Sequence, residues 1–255
     1  MTNKEMLCTA LKQSALELNC TVDDLTGGKS KAVISSTAEG ARKYLSLPFY
    51  CQLVSYGSGI VASVNEEIYA DVEAYIEKYA PEHCFETPNM LVLQSALERR
   101  GMSACFMAEY WLCDTDAIRM IDCGYELRLL TAEDFAPLYT PQWSNALCEK
   151  RKELDVLGIG AYDGEKLVGL AGCSADCESM WQIGVDVLPE YRRRGIASAV
   201  TGRLAAEIMA RGKVPFYCCA WSNVASARNA IRAGFRPVWV ELTAKSAEYT
   251  ADMNK

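Results

Sequence analysis

The chain is poor in the groups that most often carry metal chemistry: among 255 residues there is one histidine, His83, and no C-x-x-C pair, only Cys173-x-x-x-Cys177. A zinc site needs paired ligands at close spacing, so no metal is expected. Positive charge is also in deficit, with 26 Lys and Arg against 33 Asp and Glu, a balance of −7. Such a chain grips a phosphate backbone poorly; nucleic acid is not an expected partner, and any anion must be held locally. No apolar run, Val214 to Trp221 included, approaches the ~20 residues that cross a bilayer, so no membrane span is expected. The opening residues Met1-Thr2-Asn3-Lys4-Glu5-Met6 lack an apolar signal core, which points to the cytoplasm. Disulfides are rare there, and the twelve cysteines sit mostly in apolar runs such as Phe216-Tyr217-Cys218-Cys219-Ala220, as buried reduced thiols would. There is no internal repeat or low-complexity tract. What remains is ordinary globular composition, half hydrophobic and 23% charged, with length for about one to two domains.

Patterning divides the chain near Cys123, into an α/β domain over 1–122 and a second over 123–255. The first half reads as a helix Asn3 to Leu18, a strand Lys31 to Ser35, a helix Ala38 to Leu45, then strands Tyr50 to Tyr56 and Ile60 to Val64 about the turn Gly57-Ser58-Gly59. Helices Glu66 to Tyr79 and Asn89 to Arg100 and an aromatic strand Ser103 to Leu112 follow. In the second half, strand Tyr125 to Leu130 leads into Thr131-x-x-Asp134, a capping-box opening of a helix. Strands Leu154 to Tyr162 and Lys166 to Cys173 flank the hairpin turn Asp163-Gly164, and Met180 to Leu188 is the next strand. Helix Gly195 to Arg211, strand Val214 to Trp221, helix Asn223 to Ala233 and strand Val238 to Leu242 complete the order.

Two glycine-rich segments imitate nucleotide motifs without their context. Thr26-Gly27-Gly28-Lys29-Ser30 has Asp23 where a phosphate loop needs its first glycine, and no strand precedes it. Gly158-Ile159-Gly160 followed by Gly164 has the wrong spacing for a dinucleotide fingerprint and leads into a strand. His83 follows Pro81-Glu82 with no obvious nucleophile pattern near it and reads as a surface or packed residue.

The run Val185-Asp186-Val187-Leu188-Pro189-Glu190-Tyr191-Arg192-Arg193-Arg194-Gly195-Ile196-Ala197-Ser198 is different. An apolar strand ends at proline, a basic turn follows, and glycine opens a helix whose apolar positions Ile196, Val200, Leu204 and Ile208 recur every four residues. Free N–H groups and the positive end of the helix dipole converge there, and Gly195 lets an anion approach without a Cβ in the way. On these residues alone the turn is either an anion site or a solvated basic turn capping a structural helix.

In its wider context, Arg192-x-x-Gly195-x-Ala197 after Val187-x-Pro189-Glu190-Tyr191 resembles motif A of the GCN5-related N-acetyltransferases (GNAT). Asn223-x-x-Ser226 with Gly234-Phe235 resembles the family's motif B, and Tyr125-x-x-Arg128-x-x-Thr131-x-x-Asp134 its usual opening. The resemblance covers about Tyr125 to Leu242. It implies an α/β fold with a mixed sheet whose central parallel strands, ending at Leu188 and Trp221, splay apart to admit acetyl-CoA. It further implies that backbone groups of Val185, Asp186 and Val187 bond the pantetheine amides, that Arg192, Arg193, Arg194, Gly195, Ile196, Ala197 and Ser198 hold the pyrophosphate, and that Asn223 and Ser226 touch the cofactor arm.

In such an enzyme an amine attacks the thioester carbonyl directly. The Val187 N–H is the candidate oxyanion donor. Many relatives protonate the departing thiolate with a tyrosine seven residues after the motif-B asparagine; that position is Ala230, and Tyr217 is the substitute candidate. The family's usual base positions are the apolar Ile183 and Trp181. The carboxylates at hand are Asp176, Glu178 and Glu241, with Glu178 as the candidate base, and the Asp186 side chain reads as structural. Two functional readings follow. One is an N-acetyltransferase acting on an amine of a small molecule such as a polyamine or aminoglycoside-like compound, with the first half shaping the acceptor site. The other is a non-catalytic acyl-CoA-binding or sensing module that has lost its acid. The oligomeric state is open, a homodimer included.

Overall fold

A computed structural model describes residues 1–255. Contacts divide the chain into two compact units, one of Met1–Thr9 with Trp111–Pro237 and one of Ala10–Tyr110 with Val238–Lys255. These bounds differ from the expected division near Cys123. The chain passes between units inside α1 (Asn3–Leu18), β4 (Met102–Cys113) and β10 (Phe235–Ser246), and local pattern reads the first two of these as unbroken.

In the first unit, β5 (Glu126–Thr131), β6 (Asp155–Asp163), β7 (Lys166–Ser174) and β8 (Met180–Val187) pair antiparallel in chain order, and β9 (Val214–Ala220) joins β8 in parallel. A parallel neighbour requires a crossover, and α5 (Ile196–Ala210) supplies it, burying Ile196, Val200, Leu204 and Ile208 as their four-residue spacing foretells. Another cluster gathers Phe135, Trp143 and Leu147 around Leu170 of β7. Between β5 and β6 the expected helix is absent. Thr131 and Asp134 form their capping box, with the Thr131 N–H donating to Asp134 at 2.8 Å, but it opens a single 3-10 turn, Ala132–Asp134. Pro137 and Pro141 lack the N–H that a longer helix needs and restrict the residue before them, leaving a string of short turns.

In the second unit, β1 (Lys31–Ile34), β3 (Val61–Val64), β2 (Cys51–Ser55), β10 and β4 lie in that order, with β1 parallel to β3 and β2 antiparallel to both of its neighbours. Side chains alternate across a strand. Cys51, Leu53, Leu242 and Ala244 therefore share one face, packed against Val72 and Ile76 of α3 (Tyr69–Lys78) and Leu93 and Leu97 of α4 (Thr87–Glu98). Gln52, Glu241 and Thr243 fall on the other. The helix expected over Ala38 to Leu45 does not form: Gly40, in its midst, takes φ +85°, outside any right-handed helix. β10 runs on to Ser246, beyond the expected Leu242, and is followed by α7 (Ala247–Met253). No helix is long and apolar enough to cross a membrane.

Candidate active site

The first unit forks between β8 and β9. Their parallel register runs from Met180↔Val214 to Ile183↔Tyr217 and stops, so the last four residues of β8 have no partner on that side. The orientation of the freed groups follows from the other edge. Leu188 N–H bonds the Val168 carbonyl at 3.0 Å, and in an antiparallel ladder bonded and non-bonded pairs alternate. Val187 and Val185, opposite Gly169 and Ala171, thus turn their N–H and C=O away from β7 and into the fork. Asp186, opposite Leu170, uses its backbone on β7. Of the three residues expected to offer backbone groups, Val185 and Val187 direct theirs into the fork and Asp186 directs its own at β7.

The Asp186 side chain has the structural role its placement suggests. Its carboxylate accepts from Asn145 N–H at 2.8 Å, Asn145 Nδ2 at 2.7 Å and Ala146 N–H at 2.9 Å. The same loop explains Gly184: a Cβ there would overlap the Asn145 carbonyl, so only glycine lets this segment cross β8.

At the end of β8 lies a cavity of about 310 Å³, bounded by Val187, the turn Tyr191 to Arg193, Gly195 to Ser198 at the start of α5, and one face of α6 (Val224–Arg232). Gly195 is in the left-handed region, φ +83°, and no side chain caps the helix. Nothing lies within 3.8 Å of the position a Cβ would take; the glycine is required by its backbone angle and keeps the approach to the helix start open. Arg192, Arg193, Arg228 and Arg232 surround this point, and none of the four is in an ion pair. Arg192 Nε donates to the Val187 carbonyl at 3.2 Å. A helix N-terminus with four unpaired guanidiniums is a polyanion cradle.

Arg194 is directed elsewhere: it donates to the Tyr125 hydroxyl at 2.7 Å and the Glu190 carbonyl at 3.0 Å, and its guanidinium stands 5.0 Å over the Tyr191 ring. It braces the turn and does not line the cavity. Asn223 is the N-cap of α6, accepting from Ser226 N–H at 3.1 Å; neither residue lines the cavity. In their place α6 presents Ala225, Arg228, Asn229 and Arg232, spaced i, i+3, i+4 and i+7. That one-face spacing is the signal by which these residues could have been found.

Tyr217 is the last residue of β9 paired with β8, and its hydroxyl lies 2.7 Å from Ser226 Oγ. It is buried, and burial raises its pKa above the ordinary phenol value, opposed by hydrogen bonds with Ser226 and Asn229. Asn229 Oδ1 also accepts from Ser198 Oγ at 3.0 Å, so Tyr217 is tied by side chains to the cavity wall. Ala230 is fully buried: the family's usual tyrosine position holds a methyl group in the core, while a hydroxyl reaches α6 one turn earlier, from the strand.

Glu178 is exposed and precedes β8, so the whole strand, roughly 23 Å long, separates it from Val187. Asp176 is buried against Arg151 at 3.0 Å, and Glu241, in the other unit, is paired with Arg42 at 3.0 Å. No carboxylate lines the cavity. His83 is a surface residue, 2.9 Å from Glu86. All twelve cysteines are free, and burial pushes the Cys51, Cys113 and Cys173 thiols up to about 12, leaving them without thiolate character.

No curated protein matches the chain. Among solved structures, a GNAT-family protein from Novosphingobium aromaticivorans is 21% identical with a TM-score of 0.41, the likeness covering 56% of this chain and 66% of that one. A GCN5-related N-acetyltransferase from Sphaerobacter thermophilus is 17% identical, with 74% and 72% covered and a TM-score of 0.47. A protein from Salmonella typhimurium, solved with its cofactor acetyl-CoA, is 17% identical, with 48% and 93% covered and a TM-score of 0.34. The chain thus spans just under two thirds of the Novosphingobium protein. The family model of GNAT acetyltransferases, enzymes that use acetyl-CoA, matches residues 66–239, which include the forked strands, the basic turn and α6: the chain belongs to the GNAT acetyltransferase family.

Proposed function

We propose that the protein is an acetyl-CoA-dependent N-acetyltransferase acting on an amine of a small molecule. The observation that carries this reading is the conjunction, in one cavity, of an uncapped helix start, four unpaired arginines and two β8 residues with open backbone groups. The arginines and the first N–H groups of α5 suit a pyrophosphate; the backbone N–H and C=O of Val185 suit an amide-bearing arm lying along β8 as an added strand, with the Val187 N–H beyond it. Acetyl-CoA bound in this way supplies a thioester carbonyl open to attack by an amine.

The chain's own contributions follow from placement. Val187 N–H, fixed in the fork, donates to the oxygen on which negative charge develops, and a donor already aimed there needs no reorganisation. Tyr217, whose raised pKa keeps it protonated at neutral pH, returns a proton to the departing sulfur. With no carboxylate in the cavity, the acceptor enters as the neutral amine and its proton passes to solvent.

The test is a calorimetric titration of acetyl-CoA, CoA and a nucleotide lacking the pantetheine arm, followed by mass-spectrometric analysis of an amine panel incubated with acetyl-CoA. Binding confined to the CoA species, with an acetylated amine, supports the reading. CoA binding without acetylation of any amine would favour the sensing module; absence of CoA binding would reduce the basic turn to a structural cap.

A further inference from the structure

The second unit has a cavity of its own, about 440 Å³, within the range that holds a small ligand. It lies on the face of β10 and β4 opposite the α3 and α4 core. Apart from Phe106, Ala108 and Tyr110, its lining falls outside the residues matched by the family model. Five of the lining side chains are aromatic: Tyr44, Phe49, Phe106, Tyr110 and Tyr249.

The floor is charged. Glu241 lines the cavity yet is 4% exposed. Its Oε1 accepts from Arg42 at 3.0 Å and from Trp239 Nε1 at 2.8 Å, and its Oε2 accepts from Gln52 Nε2 at 3.3 Å. Arg42 is shared: Glu17, buried as well, takes its Nε at 2.9 Å and its Nη2 at 2.7 Å. Two buried carboxylates thus divide one guanidinium, a formal count of one negative charge in excess in a medium where uncompensated charge is costly. Arg42 lies behind the wall, over the Tyr44 and Tyr110 rings at 5.4 and 5.5 Å; of the cluster, only Glu241 faces the cavity. At the rim the protein places an ammonium of its own on an aromatic face, Lys245 Nζ standing 4.7 Å over Phe49.

We infer that this cavity is a binding site for a small organic ammonium compound, its cation held by Glu241 and the aromatic walls. Aromatic faces attract a desolvated cation through their quadrupoles, and a cation at Glu241 compensates the excess charge. The inference goes beyond the acetyl-transfer reading and is independent of it.

The test uses the full chain in phosphate buffer at pH 7 without acetyl-CoA, following tryptophan fluorescence and heat on addition of 2-phenylethylamine, with 2-phenylethanol and 3-phenylpropionate as neutral and anionic controls. Saturable binding of the amine, at least about tenfold tighter than either control, is expected from a charged hydrogen bond. Glu241→Gln should remove that preference. Because this variant disturbs Arg42, the exposed Phe106→Leu serves as a second probe and should weaken the amine about two- to fivefold while keeping apolar contact. Lys245→Met supplies the sign: removing a like charge at the rim should tighten the amine. Equal affinity for alcohol and amine, tighter binding of the carboxylate, weakening by Lys245→Met, or no binding of any probe would each overturn the inference. Since acetyl-CoA is absent, none of these results bears on acetyl transfer.

Discussion

A methyl group at Gly195 separates a structural turn from an anion site. With φ at +83°, alanine at this position pays the left-handed penalty, about 1–2 kcal/mol, which lowers Tm by about 2–4 °C per kcal/mol in a chain of this size. The new Cβ has room: Arg232 Nη2, at 3.8 Å, is its nearest neighbour. It projects into the cavity where a phosphate would meet the helix N–H groups, and loss of one such charge-assisted bond, about 1.5–3 kcal/mol, weakens acetyl-CoA by about ten- to a hundredfold. Gly195→Glu goes further, because its carboxylate lands beside Arg232 and neutralises one of four guanidiniums. The control is Gly212→Ala, at φ +72° on open surface, which carries the same backbone penalty away from the site. Calorimetric affinity and thermal unfolding of the three variants should show equal loss of stability in both alanine variants and loss of affinity only at Gly195. Equal acetyl-CoA affinity for Gly195→Ala and Gly212→Ala would refute the assignment of the helix start as the pyrophosphate site.

Tyr217→Phe is expected to leave acetyl-CoA affinity unchanged and to lower the acetylation rate by about 10²–10⁴, the usual share of a general acid; a rate within a factor of three of the parent would remove Tyr217 from the reaction. Arg42→Ala leaves Glu17 and Glu241 buried without their shared cation and should cost about 3–5 kcal/mol in urea unfolding; a loss below about 1 kcal/mol would contradict the charge count. Asp155 is pushed up to about 6 by burial, so its folded pKa exceeds its unfolded one. The stability it contributes is complete below about pH 4 and is lost as pH rises through 6, on the order of 3 kcal/mol. The stability of the parent relative to Asp155→Asn should fall between pH 4 and 7, and a difference that stays flat or rises would show the carboxyl to be unshifted.

Much of the first unit was legible because its signals are local. Asp163-Gly164 marks a hairpin whatever surrounds it, and Ile196, Val200, Leu204 and Ile208 must share one helix face. The misses are equally physical. The expected helix over Ala38 to Leu45 was undone by Gly40, whose backbone angle no pattern displays. Arg194 is consecutive with Arg192 and Arg193, yet Tyr125, distant in sequence, draws it away. Arg228 and Arg232 lie outside the Asn223 and Ser226 motif, although helical spacing places them on one face.

By itself, then, the sequence determined most of the elements, their order and the basic turn that opens α5, since period, turn chemistry and charge act over a few residues. Only the tertiary structure decided where β8 and β9 part, which backbone groups that parting frees, and that Tyr217 reaches α6 while Glu178 stands at the wrong end of its strand. It also joined Glu17, Arg42 and Glu241 into one buried cluster, and split α1, β4 and β10 between two units. Those outcomes depend on pairing register and on contacts across long separations, which no local window contains.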